Sequence, residues 1–321
     1  MVSTVFAPLI GQSQAVELLN QAVLQHRVAP AYLFAGPSGV GRSLAARCFL
    51  ELLFHKDALS AKQPGLQHRL QHRLQQGNHP DLLWVQPTYL HQGKLLSAAE
   101  AVAAGLKRKA PPQIRLDQVR QLAQFLGRPP MEAARSVVVI EQAETMAEAA
   151  ANGLLKTLEE PGKATLILIA PGTDALLPTL ISRCQRIPFH RLSTEALAQV
   201  LEQAGYAEIL QHPELLEIAQ GSPGEAIASW QQLQAIPADL LQDLTQPLRS
   251  ARAALELARR LDKALDTEAQ LWLIDYLQHA LWRSRRQPRL LQYLEKARQS
   301  LLSYAQPRLV WEVTLMAIAQ T

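Results

Sequence analysis

Cysteine is nearly absent from this chain: Cys48 and Cys184 are the only two among 321 residues. They stand far apart in sequence, so no disulfide framework is expected, and a reducing cytoplasmic setting fits. Aromatic residues make up just 5%, while Leu, Ala and Gln are abundant, so helices should dominate. No apolar run approaches the roughly 18 to 20 residues that a membrane span needs. Met1 to Ile10 has neither a basic stretch nor a long apolar core of the kind a secretory leader carries. These absences set aside a secreted disulfide scaffold and a membrane-embedded protein. Charge of one sign is also lacking, because 32 Lys and Arg face 28 Asp and Glu for a net +4. That balance permits contact with nucleic acid without indicating it.

What is present is a globular composition, 48% apolar and 19% charged. The length suits two or three domains. Residues 12–27 have the periodicity of an amphipathic helix, with Ala15, Leu18, Leu19, Ala22 and Val23 on one stripe. Ala31 to Ala35 reads as a short strand, Ser43 to Phe54 as a helix and Leu82 to Val85 as a second strand. Residues 91–112, which include Lys107-Arg108-Lys109, read as a surface excursion. Ile114 to Leu126 is a predicted helix closed by Gly127 and Pro129-Pro130. Val137 to Ile140 is four consecutive β-branched residues, the pattern of a strand buried on both faces. A helix over Met146 to Glu160 and a buried strand over Thr165 to Ile169 follow. Strands alternating with helices predict a parallel sheet covered on both sides.

Beyond about residue 190 the strand signals stop. Residues 194–204, 213–220 and 223–233 read as short helices. Longer helices follow, with breaks near Pro247, Asp266, Pro288 and Pro307, and Leu271, Ile274, Leu277 and Leu281 form one stripe. The expected organisation is α/β then all-α: an α/β domain over 1–190, a small helical domain over 191–235 and a helical bundle over 236–321.

Chemistry concentrates in three places. Gly36-Pro37-Ser38-Gly39-Val40-Gly41-Arg42-Ser43 has the form G-x-x-x-x-G-K-[ST], with Arg in place of Lys. Such a loop lets backbone N–H groups at a helix N-terminus face phosphate oxygens. Gly36, Gly39, Gly41, Arg42 and Ser43 are therefore candidate nucleotide-binding residues. Ser43 keeps the hydroxyl that normally faces Mg²⁺, but Arg42 is longer, planar and forked, so the exchange is not conservative. The alternative is an ordinary glycine turn into a helix.

The strand Val137 to Ile140 then leads into Glu141-Gln142-Ala143-Glu144, where two adjacent acids would serve metal and water. Glu141 can still face a metal. Gln142 cannot take a proton near neutral pH. The third place is Ser182-Arg183-Cys184, an arginine suited to acting on a neighbour's nucleotide. A surface arginine after a helix is the plain alternative.

These motifs occur in order with His79-Pro80-Asp81, the block Asn152-Gly153-Leu154-Leu155-Lys156-Thr157-Leu158-Glu159-Glu160-Pro161 and the block Leu177-Pro178-Thr179-Leu180-Ile181-Ser182-Arg183-Cys184. Together they resemble the delta-prime subunits of the bacterial DNA polymerase III clamp loader, strongly over 8–190 and more loosely beyond. The resemblance implies an AAA+ P-loop domain with a parallel sheet, a small helical lid domain and a C-terminal helical collar domain. It implies an arginine finger at Arg183, acting in trans on ATP held by an adjacent subunit. It also implies a hetero-oligomer with gamma/tau-type and delta-type subunits, the sliding clamp and primed DNA as partners, and a cytoplasmic, non-polymerising role in replication.

The departures are as telling. Arg42, Gln142 and Glu225, an acid where related ATPases carry a phosphate-sensing arginine, all weaken the same reaction. ATP and Mg²⁺ are therefore open for this chain. Thr173 lies near the strand that usually carries a polar sensor. Relatives carry a four-cysteine zinc module before His-Pro-Asp, but here residues 55–80 hold no cysteine. His68 and His72, at i,i+4 spacing, make too small a donor set, so no zinc and no dedicated protein metal site is expected. The competing readings are an active motor ATPase of the gamma/tau type, another P-loop ATPase, or a switch that binds ATP without cleaving it.

Overall fold

In a computed structural model of the chain, residues 4–58, 70, 72–74, 76–104, 111–160, 162–246, 250–285 and 287–320 are described. The chain divides into two compact units, Met1–Leu192 and Ser193–Thr321.

The first unit is built on a five-stranded parallel sheet of order β2-β5-β6-β1-β7. Its strands are β1 (Ala31–Ala35), β2 (Leu82–Val85), β5 (Ser136–Ile140), β6 (Ala164–Ala170) and β7 (Gln185–Pro188). Every residue of β5 and β6 is buried, as their unbroken apolar runs require when helices cover both faces. Val138 pairs with Leu166, and Leu33 with Leu168, so the sheet interior is a layer of branched side chains. Around it lie α1 (Ser13–Leu24), α2 (Arg42–Ala58), α4 (Leu116–Leu126), α5 (Glu148–Glu159) and the short α6 (Pro178–Ile181). On α5, Ala150, Ala151, Leu154 and Leu158 are the buried face, and they join Val119 and Leu122 of α4 in one apolar cluster with the sheet.

Three expectations are corrected. Strand β7 had no apolar run to announce it, because Gln185 and Arg186 are exposed at a sheet edge and only Ile187 is fully buried there. Residues 91–112 are more than an excursion. They enter from an antiparallel hairpin of β3 (Tyr89–His91) and β4 (Lys94–Leu96) and continue into α3 (Ala98–Ala103), where Ala101 is buried. The helix expected from Met146 starts at Glu148. Ile114 N–H donates to Thr145 O and Ala147 N–H to Ile114 O, so this backbone is committed to a parallel bridge. The same bridge delays α4 until Leu116. Lys107-Arg108-Lys109 and His68 lie outside the described residues.

The second unit is helical: α7 (Thr194–Gln203), α8 (Pro213–Ala219), α9 (Pro223–Ala235), α10 (Ala238–Thr245), α11 (Ala251–Ala264), α12 (Thr267–Arg285), α13 (Pro288–Leu302) and α14 (Pro307–Ala319). Proline stands in the first turn of α8, α9, α13 and α14, where its missing N–H has no intrahelical acceptor to lose. Ser193, Ser222 and Ser250 accept backbone N–H groups as N-caps. Helix α11 buries Ala254, Leu257, Ala258 and Leu261 against α14, which buries Val310, Trp311, Thr314 and Leu315. Trp311 donates its indole N–H to Gln270 Oε1 at 2.9 Å, and Gln270 in turn donates to Leu265 O. Helix α8 contacts both α9 and α12, so residues on both sides of position 235 belong to one compact unit.

Candidate functional site

The site forms at the carboxyl ends of β1, β5 and β6, where neighbouring parallel strands release their loops on one side of the sheet. Strand β1 ends at Ala35 and the glycine loop follows. Gly36 N–H donates to Ala170 O, and Phe189 N–H donates to Ala35 O. A Cβ at Gly36 would lie 2.3 Å from Phe189 O, so glycine there reflects close packing of two backbones. Gly41 sits at φ +100, a left-handed conformation, with Leu9 against it. It releases the chain into α2, whose first residues are Arg42 and Ser43.

Gln12, at the N-terminus of α1, holds this loop from outside. Its amide donates to Val40 O at 3.2 Å and to His190 O at 2.7 Å, and its carbonyl accepts His190 N–H.

Strand β5 continues its ladder one residue further, with Glu141 N–H donating to Val85 O. The carboxylate of Glu141 accepts three hydrogen bonds. Its Oε1 accepts the Ser43 hydroxyl. Its Oε2 accepts Trp84 Nε1–H at 3.0 Å and Gln86 Nε2–H at 2.7 Å. The Arg47 guanidinium stacks 4.6 Å from the Trp84 ring centroid. Burial would raise the Glu141 carboxyl, but the hydrogen bonds from Ser43, Gln86 and Trp84, with the charge of Arg47, hold it below the ordinary glutamate value. Gln142 then turns in the left-handed conformation at φ 50, and Thr145 N–H and Oγ1–H both donate to its carbonyl.

The loop, Glu141, Gln142, Glu144 and the β6 end at Ile169 and Pro171 enclose a cavity of about 330 Å³. Gly39, Gly41, Arg42 and Ser43 line it, whereas Gly36 does not. The Arg42 Nη1 is buried without a hydrogen-bond partner, and so is Glu144 Oε2. Burial pulls the Arg42 guanidinium down from its ordinary value, opposed by the charges of Glu144 and Glu141; an arginine stays cationic regardless.

Ser43 donates its one hydroxyl proton to Glu141, which leaves the hydroxyl oxygen's lone pairs open. Ser43 with Glu141 is therefore the pair that would face a Mg²⁺ ion accompanying a bound nucleotide. Among the described residues no three His, Cys, Asp or Glu side chains cluster as metal ligands. Thr173 Oγ1 donates to its neighbour Asp174 and is not part of the cavity lining. His72 Nε2 lies 3.2 Å from Gln76 Nε2.

Arg183 lies apart from this cavity. It follows α6 on an exposed segment, where its Nη1 donates to Thr179 O at 3.0 Å and its Nη2 to Glu159 Oε1 at 2.8 Å. Two motif blocks of the sequence thus meet in one exposed ion pair. Glu225 is exposed in the first turn of α9, with its N–H donating to the Ser222 cap.

Comparison with known proteins agrees with this architecture. The family model "DNA polymerase III, delta subunit" matches residues 11–193. The model "Cyanobacterial DNA polymerase III delta prime, C-terminal domain" matches residues 195–318. The chain belongs to the DNA polymerase III delta-prime family. The delta-prime subunit of Pseudomonas aeruginosa is 37% identical over 61% of this chain and 54% of that protein. The delta-prime subunit of Bacillus subtilis is 32% identical over 60% of this chain and 52% of that protein. The chain therefore aligns with about half the length of these curated relatives. A gamma subunit-related protein of Thermotoga maritima shares the fold at a TM-score of 0.53 and 16% identity, over 96% of this chain and 99% of that one. The shared fold is a parallel sheet covered by helices followed by a helical part. Among the described residues no helix is long and apolar enough to cross a membrane.

Within this delta-prime chain the structure brings Gly39, Gly41, Arg42, Ser43 and Glu141 together and leaves Arg183 elsewhere. Sequence reasoning missed Trp84, Gln86, Arg47 and Gln12. Only Trp84 and Gln86 carried a signal, since they sit at the end of a strand opened by His79-Pro80-Asp81. Cys48 and Cys184 are free. Burial, joined for Cys48 by the Glu51 charge, pushes each thiol up to about 11, so neither is a thiolate nucleophile at neutral pH.

Proposed function

We propose that this chain acts as the delta-prime subunit of a cytoplasmic bacterial DNA polymerase III clamp loader, helping to place the sliding clamp on primed DNA. In this reading it is a mostly rigid stator in a hetero-oligomer with gamma/tau-type and delta-type subunits. Residues 1–190 serve as the AAA+ module, 191–235 as its lid and 236–321 as a collar for the other subunits. Arg183 is the finger that reaches ATP held by the adjacent subunit.

The observation that carries the reading is the position of Arg183. It is exposed, away from its own chain's cavity, and among the described residues it is bonded to the half-exposed Glu159 and the Thr179 carbonyl. An exposed pair of this kind contributes about 0–1 kcal/mol, so a phosphate can displace Glu159 readily. A guanidinium supplied from outside is worth roughly 10³ to 10⁵ in rate where it stabilises a transferring phosphoryl group. The chain's own reaction lacks support, because Gln142 stands where an acid would activate water.

The test is clamp- and DNA-stimulated ATP turnover in a reconstituted loader carrying Arg183→Ala. Normal assembly with turnover lowered by at least 100-fold is the expected result. Unchanged turnover overturns the finger, and turnover by the isolated chain would favour a motor ATPase instead.

A further inference from the structure

Glu159 is the last residue of α5. Carbonyls at a helix C-terminus carry partial negative charge, so an acid there is disfavoured unless a cation faces it. Among the described residues the cation bonded to Glu159 is Arg183, 24 residues on, whose Nη2 donates to Glu159 Oε1 at 2.8 Å. The other arm of the guanidinium donates from Nη1 to Thr179 O at 3.0 Å, an oxygen that also accepts the Ser182 hydroxyl. The two arms are thus tied to two elements, the end of α5 and the first turn of α6. One of them lies against a full negative charge. Glu160 is the next acid along the chain and is likewise exposed, yet the ion pair goes to Glu159.

A carboxylate and a phosphate seek the same planar fork of an arginine, and both take it through charge-assisted hydrogen bonds. Glu159 and a phosphate of the adjacent subunit are therefore rival acceptors for one group. The Thr179 carbonyl is neutral and does not offset the guanidinium charge. We propose that Glu159 parks Arg183, holding the finger off the adjacent subunit's ATP until a phosphate displaces the carboxylate, so that the loader turns ATP over slowly when clamp and DNA are absent. The inference rests on the finger reading of Arg183 and adds a regulator to it. Glu159 touches no nucleotide in this scheme. It acts through Arg183 alone and is a positioning residue. The exposure of the pair sets the size of the effect: an ion pair open to solvent is weak enough to yield to a triphosphate and strong enough to bias the idle state.

The experiment is steady-state ATP turnover of the reconstituted loader, without and with clamp and primed DNA. The variants are Glu159→Gln, Glu160→Gln, Arg183→Ala and the double variant Glu159→Gln with Arg183→Ala. Glu159→Gln should raise unstimulated kcat/KM roughly two- to fivefold, the range an exposed ion pair supports, and lower the stimulation ratio by the same factor. Glu160→Gln removes the same charge one residue away and should leave both values unchanged. The gain from Glu159→Gln should shrink as salt is raised from about 0.05 to about 0.3 M, because exposed charges are screened. It should vanish in the Arg183→Ala background. A merely structural role for Glu159 would lower turnover instead of raising it. Unchanged or lowered unstimulated turnover with Glu159→Gln, an equal gain with Glu160→Gln, or a gain that persists without Arg183 overturns the proposal. Those results leave the finger reading standing as long as Arg183→Ala abolishes stimulated turnover. If Arg183→Ala leaves stimulated turnover unchanged, the finger reading falls and the proposal falls with it.

Discussion

Gln12 and His190 are joined by a reciprocal pair of hydrogen bonds across 178 residues of sequence, Gln12 Nε2 donating to His190 O at 2.7 Å and His190 N–H donating to Gln12 Oε1 at 3.1 Å. The same amide holds Val40 O, so one buried side chain ties the glycine loop to the segment that follows β7. Gln12→Ala removes all three bonds and leaves buried backbone groups unsatisfied. It should cost about 2 kcal/mol, read as a lower urea midpoint at unchanged slope.

Gly36 and Gly172 separate two kinds of loop glycine. A Cβ at Gly36 meets Phe189 backbone at 2.3 Å, while one at Gly172 meets nothing within 4 Å. Gly36→Ala must push apart the ends of β1 and β7 and should lose about 2–3 kcal/mol. Gly172→Ala should stay within about 0.5 kcal/mol of the parent. Thermal melts of the two variants side by side check both values.

Asp81 is the hub of the His79-Pro80-Asp81 block. It is buried and accepts N–H groups from Met131, Glu132 and Ala133 at 2.6 to 2.8 Å, while its own N–H donates to His79 Nδ1. Asp81→Ala strands three donors and should cost about 3 kcal/mol. Asp81→Asn keeps one acceptor but turns an NH₂ toward N–H groups, so it should recover less than half of that loss. Urea unfolding at neutral pH decides it.

Acid should unfold the first unit in two phases. His79 stacks on Phe54 with centroids 4.5 Å apart. Burial, then the Arg73 charge, lowers its proton affinity against the pull of Glu132 and Asp81. The folded form therefore binds fewer protons than the unfolded form below the ordinary histidine value of 6.5, and stability falls as pH drops from there. Asp81 and Glu141 are shifted down, desolvation being outweighed by their hydrogen bonds. Their contribution is whole above the ordinary values of 3.8 and 4.5 and is lost as pH falls through the lower folded values. Melting temperature against pH should show both declines, and His79→Gln should remove the part of the upper one that His79 causes.

The buried strands, the glycine loop and the proline-started helices were legible because each is local. Four β-branched residues in a row, glycines at set spacing, or proline in a first turn restrict the backbone wherever they occur. Strand β7 was not legible. Its exposed Gln185 and Arg186 lack an apolar signature, and it is a strand because β1 offers it a free edge. The start of α5 was misjudged for the same reason, since the backbone partner of Met146 lies 32 residues earlier at Ile114.

The sequence by itself determined the alternating α/β order, the helical second unit, the family and the residue types available to the site. Tertiary structure alone decided what those types do. The identity of Glu141 says only that an acid follows β5, whereas its contacts with Ser43, Trp84 and Gln86 fix its carboxylate against the first turn of α2 and hold it below the ordinary glutamate value. Arg183 is likewise an ordinary arginine in the sequence, and folding is what sets it outside its own cavity and against Glu159. Spacing along a chain constrains neighbours within a few residues; hydrogen bonding, burial and charge act between groups that meet only after the sheet has formed.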